Sequence, residues 1–255
     1  MIPAKVSAVI ITLNEADNIG RTVDKLGWCD EVIIVDSYSS DDTVAICVNK
    51  GCQVFQRQFD GYGTQKQYAV SLAKNNWVLC IDADEVLTDE LVQEIQEEMK
   101  NPAADAYLMQ MEFVFINRVF KYGKESSKSY IRLFNKSKGT YNSDKVHESL
   151  ELQGTVKKMK GKILHYSYKS IAHYFEKFNR YSSLGAQLAV EKNKQKPLIV
   201  EVIAVPYYFF RYYFFELNFL NGIQGFYWSA FQSFYHFVKY TKTREAWRIK
   251  KEQQQ

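Results

Sequence analysis

The triplet Asp82-Ala83-Asp84 sets two carboxylates one residue apart at the end of an apolar run. Carboxylates held this close repel, and a divalent cation relieves the repulsion. Mg2+ or Mn2+ takes few protein carboxylates and completes its shell with water and phosphate oxygens. The pattern therefore suits a cation acting as a Lewis acid on a diphosphate. On its own, an Asp-x-Asp is more often a solvated turn that caps the next helix. Thr88, Asp89 and Glu90 follow here as cap and first turn. The elements around the triplet have to decide between the two readings.

Those elements alternate in period. Apolar runs at 6–13, 31–35, 54–58 and 77–81 have the length and β-branched content of strands. Helical stretches separate them, after Asn14 and Glu15 through Leu26, from Ser39–Asp42 caps to Gly51, and at 64–74. Strand and helix in alternation predict an α/β fold with a mostly parallel sheet flanked by helices. Such sheets bind ligands beyond the carboxyl ends of their strands. Here these ends read Thr12-Leu13-Asn14-Glu15, Asp36-Ser37 and Asp82-Ala83-Asp84-Glu85. From 106 to 168 the pattern shifts to shorter strands, at 106–115, 130–134 and 162–166. A helix is expected over 171–192, followed by an aromatic-rich helical tail.

These segments together resemble family 2 glycosyltransferases of the GT-A (Rossmann-like) type. The resemblance is carried by Ser7-Ala-Val-Ile-Ile-Thr-Leu-Asn-Glu15, Val32-Ile-Ile-Val-Asp-Ser-Tyr-Ser-Ser-Asp-Asp-Thr43, Gly63-Thr-Gln-Lys-Gln-Tyr-Ala69 and Trp77-Val-Leu-Cys-Ile-Asp-Ala-Asp-Glu85. It covers about the first 170 residues. Arg132-Leu-Phe134, Val146-His-Glu148 and Lys177-Phe-Asn-Arg-Tyr181 narrow it toward bacterial lipopolysaccharide core β-1,4-glucosyltransferases.

The resemblance implies roles. Thr12, Leu13 and Glu15 would line a nucleotide pocket, and Asp36 would accept a hydrogen bond from the base, usually uracil. Lys66 would contact the diphosphate or nucleotide. Asp82 would approach ribose or metal, with Asp84 the firmer ligand of Mg2+ or Mn2+ and His165 a further metal or phosphate contact. Glu148 would be the base that deprotonates the acceptor, with Glu125 and Asp144 as weaker candidates. Asp36 reads alternatively as a capping turn with Ser37 and Ser39. Glu148 could simply pair with His147 or Lys145, and His165 could be an ordinary hydrogen-bonded strand end. Arg132 reads equally as a bidentate phosphate ligand or a strand-edge ion pair. The implied reaction is an inverting transfer of a sugar from a nucleotide-sugar, a UDP-sugar by preference, to a lipopolysaccharide core or other glycan or glycolipid. A nucleotidyltransferase is disfavoured because the loop after the first strand, Asn14-Glu15-Ala16-Asp17, is acidic instead of Gly-rich and basic. A non-catalytic glycan- or membrane-binding module is disfavoured by the intact carboxylates.

The 255 residues are 46% hydrophobic and 24% charged, as expected of a folded chain, and the net charge of +4 does not call for nucleic acid. The run 6–13 is too short and poorly flanked for a signal peptide. Cys29, Cys47, Cys52 and Cys80 form no Cys-x-x-Cys pair and read as reduced thiols of a cytoplasmic protein. Residues 1–170 are expected to form the catalytic domain, with 1–100 binding nucleotide and 101–170 the acceptor, and 171–255 a helical extension. Aromatics crowd residues 207–237, and Lys239, Lys242, Arg244, Arg248, Lys250 and Lys251 follow. Glu201, Arg211, Glu216 and Asn218 interrupt the apolar stretch and weigh against a full membrane crossing. An interfacial helical pair on the cytoplasmic face of the inner membrane suits it better. Packing on the catalytic domain or a homodimer interface would also use these aromatics.

Overall fold

The computed structural model describes residues 3–142 and 149–253. Along the chain run β1 (Val6–Thr12), α1 (Ala16–Asp24), β2 (Glu31–Asp36), α2 (Thr43–Asn49), β3 (Gln53–Gln56), α3 (Tyr62–Leu72), β4 (Trp77–Asp82), β5 (Glu85–Leu87) and α4 (Asp89–Glu98). Next come β6 (Ala106–Phe115), β7 (Arg118–Val119), β8 (Ser129–Asn135), β9 (Gly139–Tyr141), β10 (Leu150–Leu152) and β11 (Val156–His165). The helices α5 (Ile171–Glu191), α6 (Leu198–Phe210) and α7 (Ile223–Glu252) complete the chain. Two compact units result, one of residues 1–112 and 127–166, the other of 113–126 and 167–255.

In the first unit the main sheet has the order β3-β2-β1-β4-β8-β6-β11-β5. β1 pairs in parallel with β2 and β4, and β2 with β3, whereas β4–β8, β6–β8 and β11–β5 are antiparallel. The α/β class expected from the alternating periods is the one observed. Both faces of the sheet are covered, which is why its parallel strands read as continuous apolar runs. Along β1, Ala8 and Ile10 face a core shared with Ile19, Val23, Leu91 and Ile95, while Val9 faces Ala69, Val70 and Phe134. Thr88 caps α4 as expected, its side chain accepting from the Leu91 N–H.

The strands that went unread have a physical reason. β11 begins at Val156, well before 162, but Lys157 and Lys158 open it and Lys158, Lys160 and Lys162 alternate with the inward Met159, Gly161 and Ile163. Charge on the outer face hides the strand. Gly161 is needed there, because a Cβ would stand 2.4 Å from the Leu91 Cα. β5 is three residues long and starts on a glutamate, too short for any period to show.

The second unit takes in residues 113–126 because Phe113, Phe115 and Phe120 bury in an aromatic cluster with Tyr174, Phe178 and Trp228. Ring centroids lie 4.6 Å apart for Phe113–Trp228 and 5.3 Å for both Phe115–Trp228 and Tyr174–Phe231. Packing thus accounts for the inward aromatics of α5 and α7. It does not account for α6, whose large apolar residues are mostly exposed. The 18-residue stretch Leu198–Phe215 has a mean hydropathy of 1.3 with 11% of it buried, enough by length and composition alone for a membrane crossing. Pro206 stands inside it, and a π-turn over Arg211–Phe215 ends it.

Candidate active site

The parallel register decides which strand ends meet. Thr12 pairs with Asp36 on one side of β1, and Ile11 pairs with Asp82 on the other. Asp36 and Asp82 therefore flank the end of β1, about 10 Å apart along the sheet. Three of the expected segments lie on one edge.

The loops leaving this edge are tied to each other. Asn14, at a φ of 54°, accepts from the Ser40 N–H through Oδ1 (2.8 Å) and donates its own N–H to Ser39 Oγ (2.8 Å). The Glu15 N–H donates to Thr43 Oγ1 at 2.8 Å, and Glu15 Oε2 accepts from Asn18 Nδ2 at 2.8 Å. Asp36 is fully buried, and its carboxylate accepts from the Ser39 N–H (2.9 Å) and Ser39 Oγ (2.5 Å). The capping-turn reading of Asp36 is thus present in the structure, through Ser39. The same bonds fix the direction of the carboxylate. Thr12 Oγ1 is buried with no hydrogen-bond partner among the described residues, and Leu13 beside it is exposed. Tyr38 escaped the sequence reading. It is 59% exposed at a φ of 64°, a conformation that costs a non-glycine residue free energy and often marks a ligand-binding position.

Asp82 and Asp84 occupy different environments. Lys66, buried on α3, places Nζ 2.9 Å from Asp82 Oδ1. Arg132, buried on β8, places Nη2 3.0 Å from Asp82 Oδ2 and 2.5 Å from Glu85 Oε1. Glu85 Oε2 accepts the Asp82 N–H at 3.1 Å. Two cations and two carboxylates balance in this network. Burial alone would raise the Asp82 pKa, but Lys66 and Arg132 overcome it and hold the carboxyl well below its usual range. Burial would lower Lys66, and Asp82 reverses that. Burial pushes Glu85 up, against Arg132.

This geometry bears on three expectations. Lys66, expected at the diphosphate or nucleotide, and Arg132, expected at a phosphate or in an ion pair, both engage the Asp82 carboxylate. Arg132 is on an interior strand, not at an edge, and it spends its Nη2 on two carboxylates instead of presenting a free fork. Asp82, with each oxygen already facing a cation, is a poor metal ligand. Glu85, which completes the network, escaped attention because it reads as one more polar residue after a strand.

Asp84 is left to a different partner. β5 and β11 pair so that Glu85 lies opposite His165. The Tyr166 N–H donates to the Asp84 carbonyl at 2.9 Å, and His165 Nε2 lies 3.3 Å from Asp84 Oδ2. Burial would lower the His165 pKa, but the bond to Asp84 and its charge outweigh that and raise it. The carboxylate oxygen and the imidazole nitrogen face each other where a cation could replace a shared proton, since metal binding displaces such protons. Among the described residues no three His, Cys, Asp or Glu side chains are grouped to hold a metal. One hard oxygen and one imidazole fit a cation that draws the rest of its shell from a phosphate ligand and water, not a protein-only cage. The proposed base Glu148, with Asp144 and His147, lies outside the described residues. Glu125 belongs to the second unit.

Comparison with known proteins identifies the family. The family "Glycosyl transferase family 2" matches residues 7–151. An uncharacterized glycosyltransferase of Rickettsia conorii is 34% identical over 256 residues, covering 95% of this chain and 90% of its own length. A lipopolysaccharide core biosynthesis glycosyltransferase, LpsC of Rhizobium meliloti, is 31% identical, covering 95% and 93%. Among solved structures, S. aureus TarS 1-349 in complex with UDP-GlcNAc aligns over 82% of this chain and 73% of its own, at 17% identity and a TM-score of 0.48. Glucosyl-3-phosphoglycerate synthase from Mycobacterium tuberculosis, in complex with Mn2+ and UDP, aligns over 44% of each chain at 21% identity and a TM-score of 0.35. With a family match over more than half its length and near-full-length glycosyltransferase relatives, this chain belongs to glycosyl transferase family 2 and is a glycosyltransferase.

Proposed function

We propose that the chain is an inverting transferase that moves a sugar from a UDP-sugar to a lipopolysaccharide core or related glycolipid. It would work with Mg2+ or Mn2+ at Asp84 and His165. The observation that carries this reading is the division of labour in the acidic triplet: Asp82 is neutralised by Lys66 and Arg132, while Asp84 faces His165. A cation bound there supplies Lewis-acid neutralisation of the leaving diphosphate.

The protein's own groups supply the rest. Asp36, aimed by Ser39, is a pure acceptor and suits the imide N–H of uracil. The exposed Tyr38 ring offers a face to the base. The Lys66–Asp82–Arg132–Glu85 network holds the turn before Asp84 rigid, so that the ligand is positioned before the substrate arrives. Glu148, assigned by resemblance, takes the proton of the acceptor hydroxyl as it attacks the anomeric carbon. The acceptor class follows the name of the Rhizobium meliloti relative. A glycolipid acceptor places the enzyme peripherally on the cytoplasmic face of the inner membrane.

The direct test is UDP release from a panel of UDP-sugars, with and without Mn2+, in the presence of lipopolysaccharide core acceptors. Metal-dependent release that rises with acceptor supports the reading. No release with any donor, or release indifferent to metal, contradicts it.

A further inference from the structure

Helix α6 is built inside out. Toward α7 it turns Glu201, Ala204 and Tyr208, with Phe209 packing on Phe226, and Tyr212 in the π-turn beyond it faces the same way. Three of these meet polar partners on α7: Glu201 Oε1 accepts from Arg244 Nε at 2.8 Å, the Tyr208 and Tyr240 hydroxyls share a bond of 2.9 Å, and the Tyr212 hydroxyl bonds His236 Nε2 at 2.7 Å. The Tyr208 ring stacks on His236 with centroids 3.7 Å apart. The outward face carries Ile199, Val202, Ile203 and Phe210, and Phe215 beyond it is 83% exposed. A water-facing helix has the opposite arrangement. A contiguous apolar face of this kind marks an interaction surface.

At the start of the same helix lies a cavity of about 190 Å³, lined by Lys194, Lys196, Lys239, Arg244, Tyr240 and Glu201 among others. Among the described residues Glu201 is the sole carboxylate lining it, and Arg244 holds that carboxylate. Lys194, Lys196 and Lys239 have no carboxylate partner among the described residues. Burial and then the neighbouring Lys196 lower the Lys239 pKa, as expected where positive charge is crowded without a counter-ion. Lys194 and Lys196 directly precede the exposed apolar run that begins at Leu198.

We infer that the outward face of α6 inserts into the bilayer and that the cavity at its start seats the phosphate of an anionic phospholipid headgroup. This deepens the proposed membrane location and rests on it. Charge complementarity selects the occupant. A second copy of this chain would bring the same three lysines, none held by a carboxylate, to the contact, whereas a bilayer of anionic lipid supplies both hydrocarbon for the face and phosphate for the cavity.

The test sediments the full chain with phosphatidylcholine vesicles, with and without phosphatidylglycerol. The wild type is expected to bind strongly only when phosphatidylglycerol is present. Combined Lys194→Ala and Lys196→Ala should weaken that binding by about tenfold or more. Combined Ile199→Asp and Val202→Asp should abolish it. All four positions are exposed, and circular dichroism checks that the variants fold. Wild type that stays in the supernatant overturns the inference, as does a lysine variant that binds equally well. A concentration-dependent dimer in ultracentrifugation, broken by the Ile199 and Val202 substitutions and accompanied by no vesicle binding, overturns it in favour of a second copy. UDP release measured without vesicles separates the two readings: vesicle binding without sugar transfer sinks the transferase mechanism and leaves the lipid site standing.

Discussion

Nε2 of His165 lies 3.3 Å from Oδ2 of Asp84. The two are far apart in sequence, and the β5–β11 pairing brings them together by setting His165 opposite Glu85. The pairing in turn depends on the close approach of β11 to α4 at Gly161. The strand pairing thus shapes the candidate metal position as much as the acidic triplet does.

Asp82 is expected to matter for stability. Asp82→Asn leaves the buried Lys66 and Arg132 with Glu85 as their remaining anion. Removing one partner of a buried ion pair costs about 3–5 kcal/mol. Because Asp82 is 34% exposed, the lower end of that range applies. Denaturant unfolding of the wild type and the variant measures it, and a loss under about 1 kcal/mol would show the network to be a surface-like one.

Asp36→Ala should weaken uridine nucleotide binding by about tenfold to a hundredfold, the worth of a hydrogen bond to a charged group. Calorimetric titration with UDP reads this directly. Unchanged affinity would return Asp36 to its role as a turn residue held by Ser39.

Glu148→Gln is expected to keep donor affinity and lose transfer by a factor of about a hundred or more, the usual contribution of a general base. Donor affinity by calorimetry and kcat by UDP release separate the two effects. A kcat equal to the wild type's would remove Glu148 from the chemistry.

Glu31 makes a pH-dependent contribution at the opposite end of the strands. Its carboxylate accepts from the Ser7 hydroxyl (2.6 Å), the Lys74 N–H (2.7 Å) and Gln53 Nε2 (3.2 Å). Burial would raise its pKa, but these bonds together lower it from 4.5. A depressed folded value means the contribution is complete above the unfolded pKa and is lost as pH falls through the folded one. Glu31→Gln should therefore be less stable at pH 7, and the gap should close at pH values below about 4.5. A gap that stays constant with pH would show that the charge of Glu31 plays no part.

The parallel half of the sheet was readable because each of its strands is a continuous apolar run ending in polar residues, as at Ile10–Thr12 and Ile34–Asp36. The outer half was less so. The lysines of β11 mask its alternation, and β5 is too short to have one. At the site, residue type identified Asp82, Asp84 and His165, but type alone could not tell a metal ligand from an ion-pair partner. That distinction lies in α3 and β8, which deliver Lys66 and Arg132 to Asp82 from distant parts of the chain. Tyr38 left no signal because its significance is a backbone angle. The tail was legible as aromatic, yet only the packed helices show which rings face inward and which face out.

The central claim is that Asp84 holds a divalent cation that binds together with the nucleotide diphosphate. The most direct measurement is the thermal stability of wild type and Asp84→Asn with UDP, with and without Mn2+. A ligand at a hundred times its Kd adds about 2.7 kcal/mol, a rise of about 5 °C or more for a chain of this size. That rise is expected for the wild type with UDP and Mn2+ together, a small one with UDP alone, and none of the Mn2+-dependent part in Asp84→Asn. An equal Mn2+-dependent rise in the variant would contradict it.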